Sequence, residues 1–257
     1  MVKGLYTAYT GMINEQNRMD IMTNNLANAS TVGYKKEGST SQSFDDVLTV
    51  KIKDQSVGMR NVQRLGVKNP GVKIGENYTD YSQGSFRITG NTYDLALSGE
   101  GFFAIEFTNK AGETDTKYTR AGQFTLNKDG YLVTEEGDYV LDTQNRRIRL
   151  NTLIDSSITD DGTIYQNGQA VAKIQVTDFE DYDYLEKYGE TYYQPIQGAK
   201  TIAAKAQVKS GYLEMANVQI VSEMVNLISI TRAYESNQKV VQTIDDTLDV
   251  AVNQIGR

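Results

Sequence analysis

The chain has no cysteine, no histidine and no tryptophan, and only two of its 257 residues, Pro70 and Pro195, are proline. Without cysteine or histidine there is no thiol nucleophile, no Ser-His-Asp triad and none of the usual zinc sites. Disulfides cannot form in any compartment, so cysteine usage carries no compartment signal. The two prolines leave little slow isomerisation to delay folding, and they nearly bracket the centre of the chain. No apolar run approaches the roughly 18–20 residues of a membrane span, so no membrane insertion is expected. The opening residues, Met1-Val2-Lys3-Gly4, lack the charged-then-apolar pattern of a cleavable secretory signal. The formal net charge is -7, which argues against nucleic acid or an anionic membrane as the main partner. No cofactor or metal is expected.

What is present is periodicity at the two ends. From about Ala216 to Gln254 an apolar residue stands at every seventh position: Ile220, Leu227, Tyr234, Val241, Leu248 and Ile255. Such a repeat marks a helix that keeps one seam against a partner helix. Met224 and Val252 extend the seam on companion positions, Thr231, Gln238 and Asp245 interrupt it there, and Ile244 and Ala251 widen the stripe. No glycine or proline falls between Gly211 and Gly256. At the opposite end Leu5, Met12, Met19 and Leu26 are again seven apart, with Ala8, Tyr9 and Met22 beside them. The first helix is read over residues 3–28 and ends in Asn24-Asn25-Leu26-Ala27-Asn28-Ala29-Ser30-Thr31, whose small polar residues favour caps and turns. Gly33 then permits a positive φ or a close backbone contact.

Between the helices the pattern changes. Residues 37–75 carry Gly58, Gly66, Gly71, Gly75 and Pro70 and read as an extended arm with one short strand. From about Glu76 to Ala206 the apolar period is two. Asp129-Gly130, Glu136-Gly137, Asp161-Gly162 and Asn167-Gly168 stand between alternating runs, and such pairs are strong local hairpin cues because glycine, asparagine and aspartate tolerate positive φ. Twelve of the 17 tyrosines lie between Tyr78 and Tyr193, as strand propensity predicts. The fold class is therefore α+β, with an all-β, hairpin-rich central domain inserted between N- and C-terminal coiled-coil helices.

Catalytic signals are weak. Gly99-Glu100-Gly101-Phe102-Phe103-Ala104 fits a loose dinucleotide-binding pattern, but an aromatic strand follows where a helix should open. Glu180, Asp181, Asp183 and Glu186 cluster, and a carboxylate pair can run glycoside hydrolysis. Acidic runs are more often solvated surface. No catalytic residue is assigned.

Four separated motifs point elsewhere. Asn24-Asn25-Leu26-Ala27-Asn28 through Thr31-Val32-Gly33-Tyr34-Lys35 resembles the N-terminal signature of the bacterial flagellar rod and hook protein family. Asp94-Leu95-Ala96-Leu97 with Gly99-Glu100-Gly101-Phe102-Phe103, and Tyr118-Thr119-Arg120-Ala121-Gly122, resemble its central motifs. Gly211-Tyr212-Leu213-Glu214, Asn217-Val218, Glu223 to Ile228 and Arg232-Ala233-Tyr234-Glu235 resemble its C-terminal signature. The length and the Glu223-to-Ile228 stretch look most like the distal rod members. Val32 and the Ile255-Gly256-Arg257 ending leave the proximal rod open, with the longer hook protein third.

The resemblance implies a structural subunit of the flagellar basal body. Such a subunit leaves the cell through the flagellar type III export apparatus, without a cleavable signal, and polymerises helically in the cell envelope. Its implied partners are further copies of itself, neighbouring rod and hook subunits and the surrounding basal-body rings. The shaft would carry motor torque to hook and filament. The expected organisation is an N-terminal axial helix (1–30), an extended arm (31–75), a β domain (76–206) and a C-terminal axial helix (207–257). Leu5, Met12, Met19 and Leu26 are expected in one assembly seam, and Ile220, Leu227, Tyr234, Val241 and Leu248 in the other. Asn24, Asn28, Thr31, Gly33 and Tyr34 are expected to shape the turn where the first helix ends. Two other classes stay open: a cell-envelope glycosidase using paired carboxylates, and a secreted adhesin trimerised by its helices.

Overall fold

The computed structural model describes residues 2–52, 62–109 and 112–253. They form two compact units, the first from 1–26, 37–80 and 220–257, the second from 27–36 and 81–219.

The first unit contains both long helices. Helix α1 spans Val2–Ala27 and α2 spans Ile220–Asn253. Besides Thr231 and Ala233, the covered positions of α2 are Glu223, Leu227, Ile230, Tyr234, Asn237, Val241, Ile244, Leu248 and Ala251. Their spacing alternates four and three, the spacing that keeps one stripe of a helix against a neighbour. The row Leu227, Tyr234, Val241 and Leu248 lies in this stripe, but its companions differ from the expected ones. Met224, Gln238, Asp245 and Val252 are exposed, so the polar residues flank the stripe instead of interrupting it. Thr231 is half-buried and its hydroxyl bonds back to the Leu227 carbonyl at 2.8 Å. The helix turns toward Ile230, Ile244 and Ala251 because that row offers more apolar surface to bury. Ile220, in the first turn, is 45% exposed and is not part of the covered stripe.

Helix α1 runs antiparallel to α2. A Cβ at Gly4 would lie 3.6 Å from Ile244 Cδ1, and one at Gly11 3.0 Å from Asn237 Nδ2. Two glycines seven residues apart thus leave room on α1 for the Ile244 and Asn237 side chains of α2. Leu5, Met12, Met19 and Leu26 are half-buried.

The stretch expected to be an extended arm is paired with itself. Strand β1 (Glu37–Ser43) pairs with β4 (Val72–Thr79), and β2 (Val47–Ile52) with β3 (Val62–Lys68), both antiparallel. Its base lies along α1, where Thr7 Oγ1 donates to the Pro70 carbonyl at 3.1 Å and Asn14 Nδ2 to Ser41 Oγ at 3.0 Å. Strand β1 is polar and β1, β3 and β4 each contain a glycine, so they give little local signal.

The second unit is strand-rich. Its largest sheet has nine strands, centred on β7 (Phe102–Thr108). β7 follows β5 (Phe86–Ile88) and β6 (Leu95–Ser98), and pairs with β8 (Thr114–Thr119). Successive side chains of a strand point to opposite faces, and both faces of β7 are covered. Phe103 joins Leu95, Leu97, Phe124, Leu132, Ile148 and Ile164 in one core, while Phe102 and Ala104 join Tyr118, Phe179, Leu185 and Tyr193 in the other. This explains an uninterrupted apolar run in an otherwise alternating region. It also disposes of the dinucleotide pattern, because Gly99 and Gly101 lead into a central strand and not a helix. The four glycine turns fall between antiparallel neighbours, with positive φ at Gly130, Gly137, Gly162, Asn167 and Gly168.

The chain stays in strands longer than expected. Gln207–Ser210 pairs with β6 and Tyr212–Glu214 with β5, so residues 207–214 belong to sheets and α2 begins only at Ile220.

Candidate functional site

Three of the motifs singled out in the sequence, those holding Lys35, Arg120 and Glu214, are more than 80 residues apart, yet they meet in the second unit around one carboxylate. After α1, Asn28 closes a turn in which Thr31 N donates to the Asn28 carbonyl at 3.1 Å and Thr31 Oγ1 to Asn28 Oδ1, also at 3.1 Å. This orients the chain so that Gly33 packs on the Tyr118-to-Gly122 motif. Gly33 has φ +71° and a Cβ there would overlap the backbone nitrogen of Ala121. Its N–H donates to the Glu214 carbonyl at 2.8 Å. Tyr34 is fully buried, with Lys187 Nζ 4.3 Å from its ring centre.

The Glu214 side chain is fully buried and lies between two cations. Lys35 Nζ donates to Oε1 at 2.7 Å and Arg120 Nη1 to Oε2 at 3.4 Å. Both cations are themselves no more than 3% exposed. The Gly84 N–H gives the carboxylate a third bond, at Oε1, of 3.0 Å, and Lys35 Nζ also reaches the Ser82 carbonyl at 2.8 Å. Arg120 stacks its guanidinium 5.2 Å over Phe102. Beside this cluster Asn217 accepts from Lys36 N at 2.7 Å and donates to the Ser82 carbonyl at 3.2 Å. A Cβ at Gly84 would overlap the Met215 carbonyl, and one at Gly122 the Leu95 carbonyl. Gly33, Gly84 and Gly122 are therefore positions of backbone-on-backbone contact.

The arrangement binds the strand that leads toward α2 to the turn that follows α1, and both to the β body. A buried charge held by two opposite charges and backbone donors is costly to disturb, so the cluster acts as a lock. It offers no open coordination position or nucleophile.

Of the expected turn residues, Asn28, Thr31, Gly33 and Tyr34 lie in this turn, whereas Asn24 sits on the exposed side of α1. Asn25, not singled out from sequence, is fully buried in the first unit. Its amide accepts from Glu37 N at 2.9 Å and donates to the Glu37 carbonyl at 2.7 Å, as a neighbouring strand would. In the sequence Lys35, Arg120 and Glu214 stand out only as members of motifs. A charged residue closing the apolar Tyr212-Leu213 run was the one available signal.

An open groove of about 410 Å³ lies beside the turn, lined in part by Thr31, Ala121, Gln123 and Tyr192. The charged residues along it, Arg87, Glu135, Glu136 and Glu190, are exposed. Burial pushes the Tyr192 phenol well above its ordinary range, and the Asp138 carboxylate, accepting its hydrogen bond at 2.8 Å, adds to the effect. Tyr182 is raised in the same way by burial and by Asp178. These are structural phenols held neutral. The acidic residues Glu180, Asp181, Asp183 and Glu186 are all exposed. Among the described residues no group of three potential ligands could hold a metal, and no helix is long and apolar enough to cross a membrane.

Comparison with known proteins agrees with the motif geometry. Residues 5–35 match the family described as flagella basal body rod protein. Residues 96–168 match the flagellar hook protein FlgE/F/G D1 domain, and residues 209–255 the flagellar basal body rod FlgEFG protein C-terminal region. The chain is 34% identical to the flagellar basal-body rod protein FlgG of Bacillus subtilis, over 98% of this chain and 99% of that one. It is likewise 34% identical to FlgG of Caulobacter vibrioides, over 96% and 97%, and 32% identical to the rod protein FlgF of that species, over 100% and 99%. A frame shared end to end with these proteins defines a structural protein of the bacterial flagellum. The chain belongs to the flagellar basal-body rod protein family. It is a structural subunit of the rod, placed in the basal body with other rod and hook subunits.

Proposed function

We propose that this chain occupies the distal part of the rod and polymerises helically through its terminal helices into the shaft that carries motor torque. Full-length similarity to FlgG proteins supports the distal position. The observation that carries the assembly mechanism is the small amount of burial in α2. Among the described residues of this 34-residue helix only Glu223 and Ile230 are fully buried. Helices draw most of their stability from tertiary packing, so such a helix is completed by further copies. Coiled-coil pairing between subunits supplies the cover. The terminal helices gain order as the polymer grows, which suppresses polymerisation before export through the type III apparatus. A chain without cysteine and with two prolines is compatible with threading an export channel and refolding outside. The lock makes the β body and the segments that lead to both helices one stiff piece, as torque transmission requires. The reading is tested by following the purified chain with light scattering and electron microscopy as concentration rises. Open-ended filaments are expected, and a closed oligomer of fixed size would overturn it in favour of a trimerised adhesin.

A further inference from the structure

Three turns of the β body place a glycine directly after an aspartate or asparagine: Asp129-Gly130, Asp161-Gly162 and Asn167-Gly168. In such a pair the glycine nitrogen can attack the side-chain carbonyl carbon of the residue before it, because no Cβ on the glycine stands in the way. An asparagine so placed is thermally labile. Asn167-Gly168 is the one asparagine–glycine pair in the chain.

The fold separates the three. The Gly130 N–H donates to the Asn127 carbonyl at 3.0 Å and the Gly162 N–H to the Thr159 carbonyl at 2.8 Å, and an N–H that already donates holds its proton more firmly. The Asp161 carboxylate also accepts from the Thr159 and Thr163 hydroxyls, which hold its pKa down to about 2. It stays ionised, and a carboxylate anion is a poor electrophile. Asn167-Gly168 is built differently. It is the two-residue loop between the strands Thr163–Gln166 and Gln169–Lys173, with φ +51° at Asn167 and +75° at Gly168, the left-handed turn that this pair favours. Among the described residues neither the Gly168 N–H nor the Asn167 side chain makes a hydrogen bond. Both residues are exposed, and nothing stands within 4 Å of where a Cβ on Gly168 would be. Asn145 shares the left-handed backbone at φ +55°, but Arg146 follows it and its side chain crowds the attack.

We infer that Asn167 is a site of covalent self-modification, where the folded chain converts an asparagine into an isoaspartyl linkage with water as the only co-reactant. A base in solvent takes the Gly168 N–H proton and the nitrogen bonds to Asn167 Cγ. The bond from Cγ to the side-chain nitrogen breaks, that nitrogen takes up a proton, and ammonia leaves a cyclic imide. Water then opens the ring. Cleavage between the imide nitrogen and Cγ gives aspartate, and cleavage between it and the main-chain carbonyl carbon of Asn167 gives the isoaspartyl form, whose backbone runs through Cγ. Either product adds a negative charge, but only the second adds a carbon to a loop that closes in two residues. Gln166, just before the loop, is pinned by its side-chain amide to the Asn151 carbonyl at 2.9 Å and to Ser156 Oγ at 3.0 Å. Gln169–Lys173 is the outer strand of its three-stranded sheet. The extra length therefore displaces Gln169–Lys173 and loosens its register with Thr163–Gln166.

The test ages the purified full-length chain in neutral buffer, folded and in urea, and maps its peptides by mass, with isoaspartate-specific methylation to mark the altered linkage. In the folded chain Asn167 should convert several-fold faster than Asp129 or Asp161, giving both isoaspartyl and aspartyl products. In urea, where all three glycine N–H groups are free, the two aspartate sites should speed up while Asn167 changes little. Backbone amides of Gln169–Lys173 should exchange hydrogen faster in the aged folded chain than in fresh protein. A folded chain whose Asn167 stays intact while the unfolded one converts would overturn the inference, because the turn would then protect the residue. Equal conversion at the three sites in the folded chain, or none at Asn167 in either state, would overturn it as well.

Discussion

At the residue scale the decisive group is Glu214. Replacing it by alanine leaves Lys35 and Arg120 buried without their counter-charge, and breaking a buried pair in this way costs about 3–5 kcal/mol. Urea denaturation followed by tyrosine fluorescence should show that loss for Glu214→Ala, and a change under about 1 kcal/mol, the range of a surface ion pair, would contradict the lock. Gly33→Ala should be similarly damaging, because a left-handed φ alone costs about 1–2 kcal/mol for a residue with a side chain and the new methyl also meets the Ala121 backbone. Tyr182 and Tyr192 predict a pH effect of definite sign. Their phenol pKa values are raised in the folded state, so the stability they contribute is complete below the unfolded tyrosine pKa near 10. It is lost as pH climbs above that value. Absorbance at the phenolate band should show late-ionising tyrosines, Tyr182 and Tyr192 among them, that titrate only as the β body unfolds.

At the element scale the helices and the central strand were legible from sequence, and the reasons are local. A seven-residue repeat fixes a helix face without knowledge of its partner, although α2 begins at Ile220, thirteen residues after the expected boundary at 207. Phe102 to Phe107 and the four glycine turns announce themselves through strand propensity and positive φ. Three things were not legible. The ribbon of β1 to β4 depends on pairing across the chain with polar strands. The strands at 207–214 take their partners from β5 and β6, more than 100 residues earlier. The companion row of the α2 seam was assigned four residues on from Leu227, where the structure uses three, because both steps lie on nearly the same face. The lock residues were visible as motif members, but their meeting is a long-range fact that no local pattern encodes. The helix pair makes its own prediction. Gly11→Leu must displace Asn237 and separate α1 from α2, so circular dichroism should report lost helix while the β body melts as before. An unchanged helical signal would mean that the close glycine contact is unimportant.

At the scale of the whole molecule, the structure separates holding from joining. The Glu214 lock holds the β body to the segments that lead to both helices, and the inner row of α2 holds α2 to α1. Apolar residues on the outer side of the helices, Val221 and Val225 among them, stay exposed, and the proposed assembly draws on them. Val225→Asp should therefore leave helical content and melting of the monomer nearly unchanged and abolish assembly, whereas Leu227→Asp should reduce helical content as well. Equal effects of the two substitutions on the monomer would erase the distinction.

The central claim is that the terminal helices drive open polymerisation, and it is tested most directly by far-UV circular dichroism with light scattering on the full-length chain across a concentration series. The account predicts a monomer with incomplete helix at low concentration, gaining helical signal as it grows into filaments of no fixed length. A fully helical monomer that never associates would contradict it, and would leave the helices as internal packing alone.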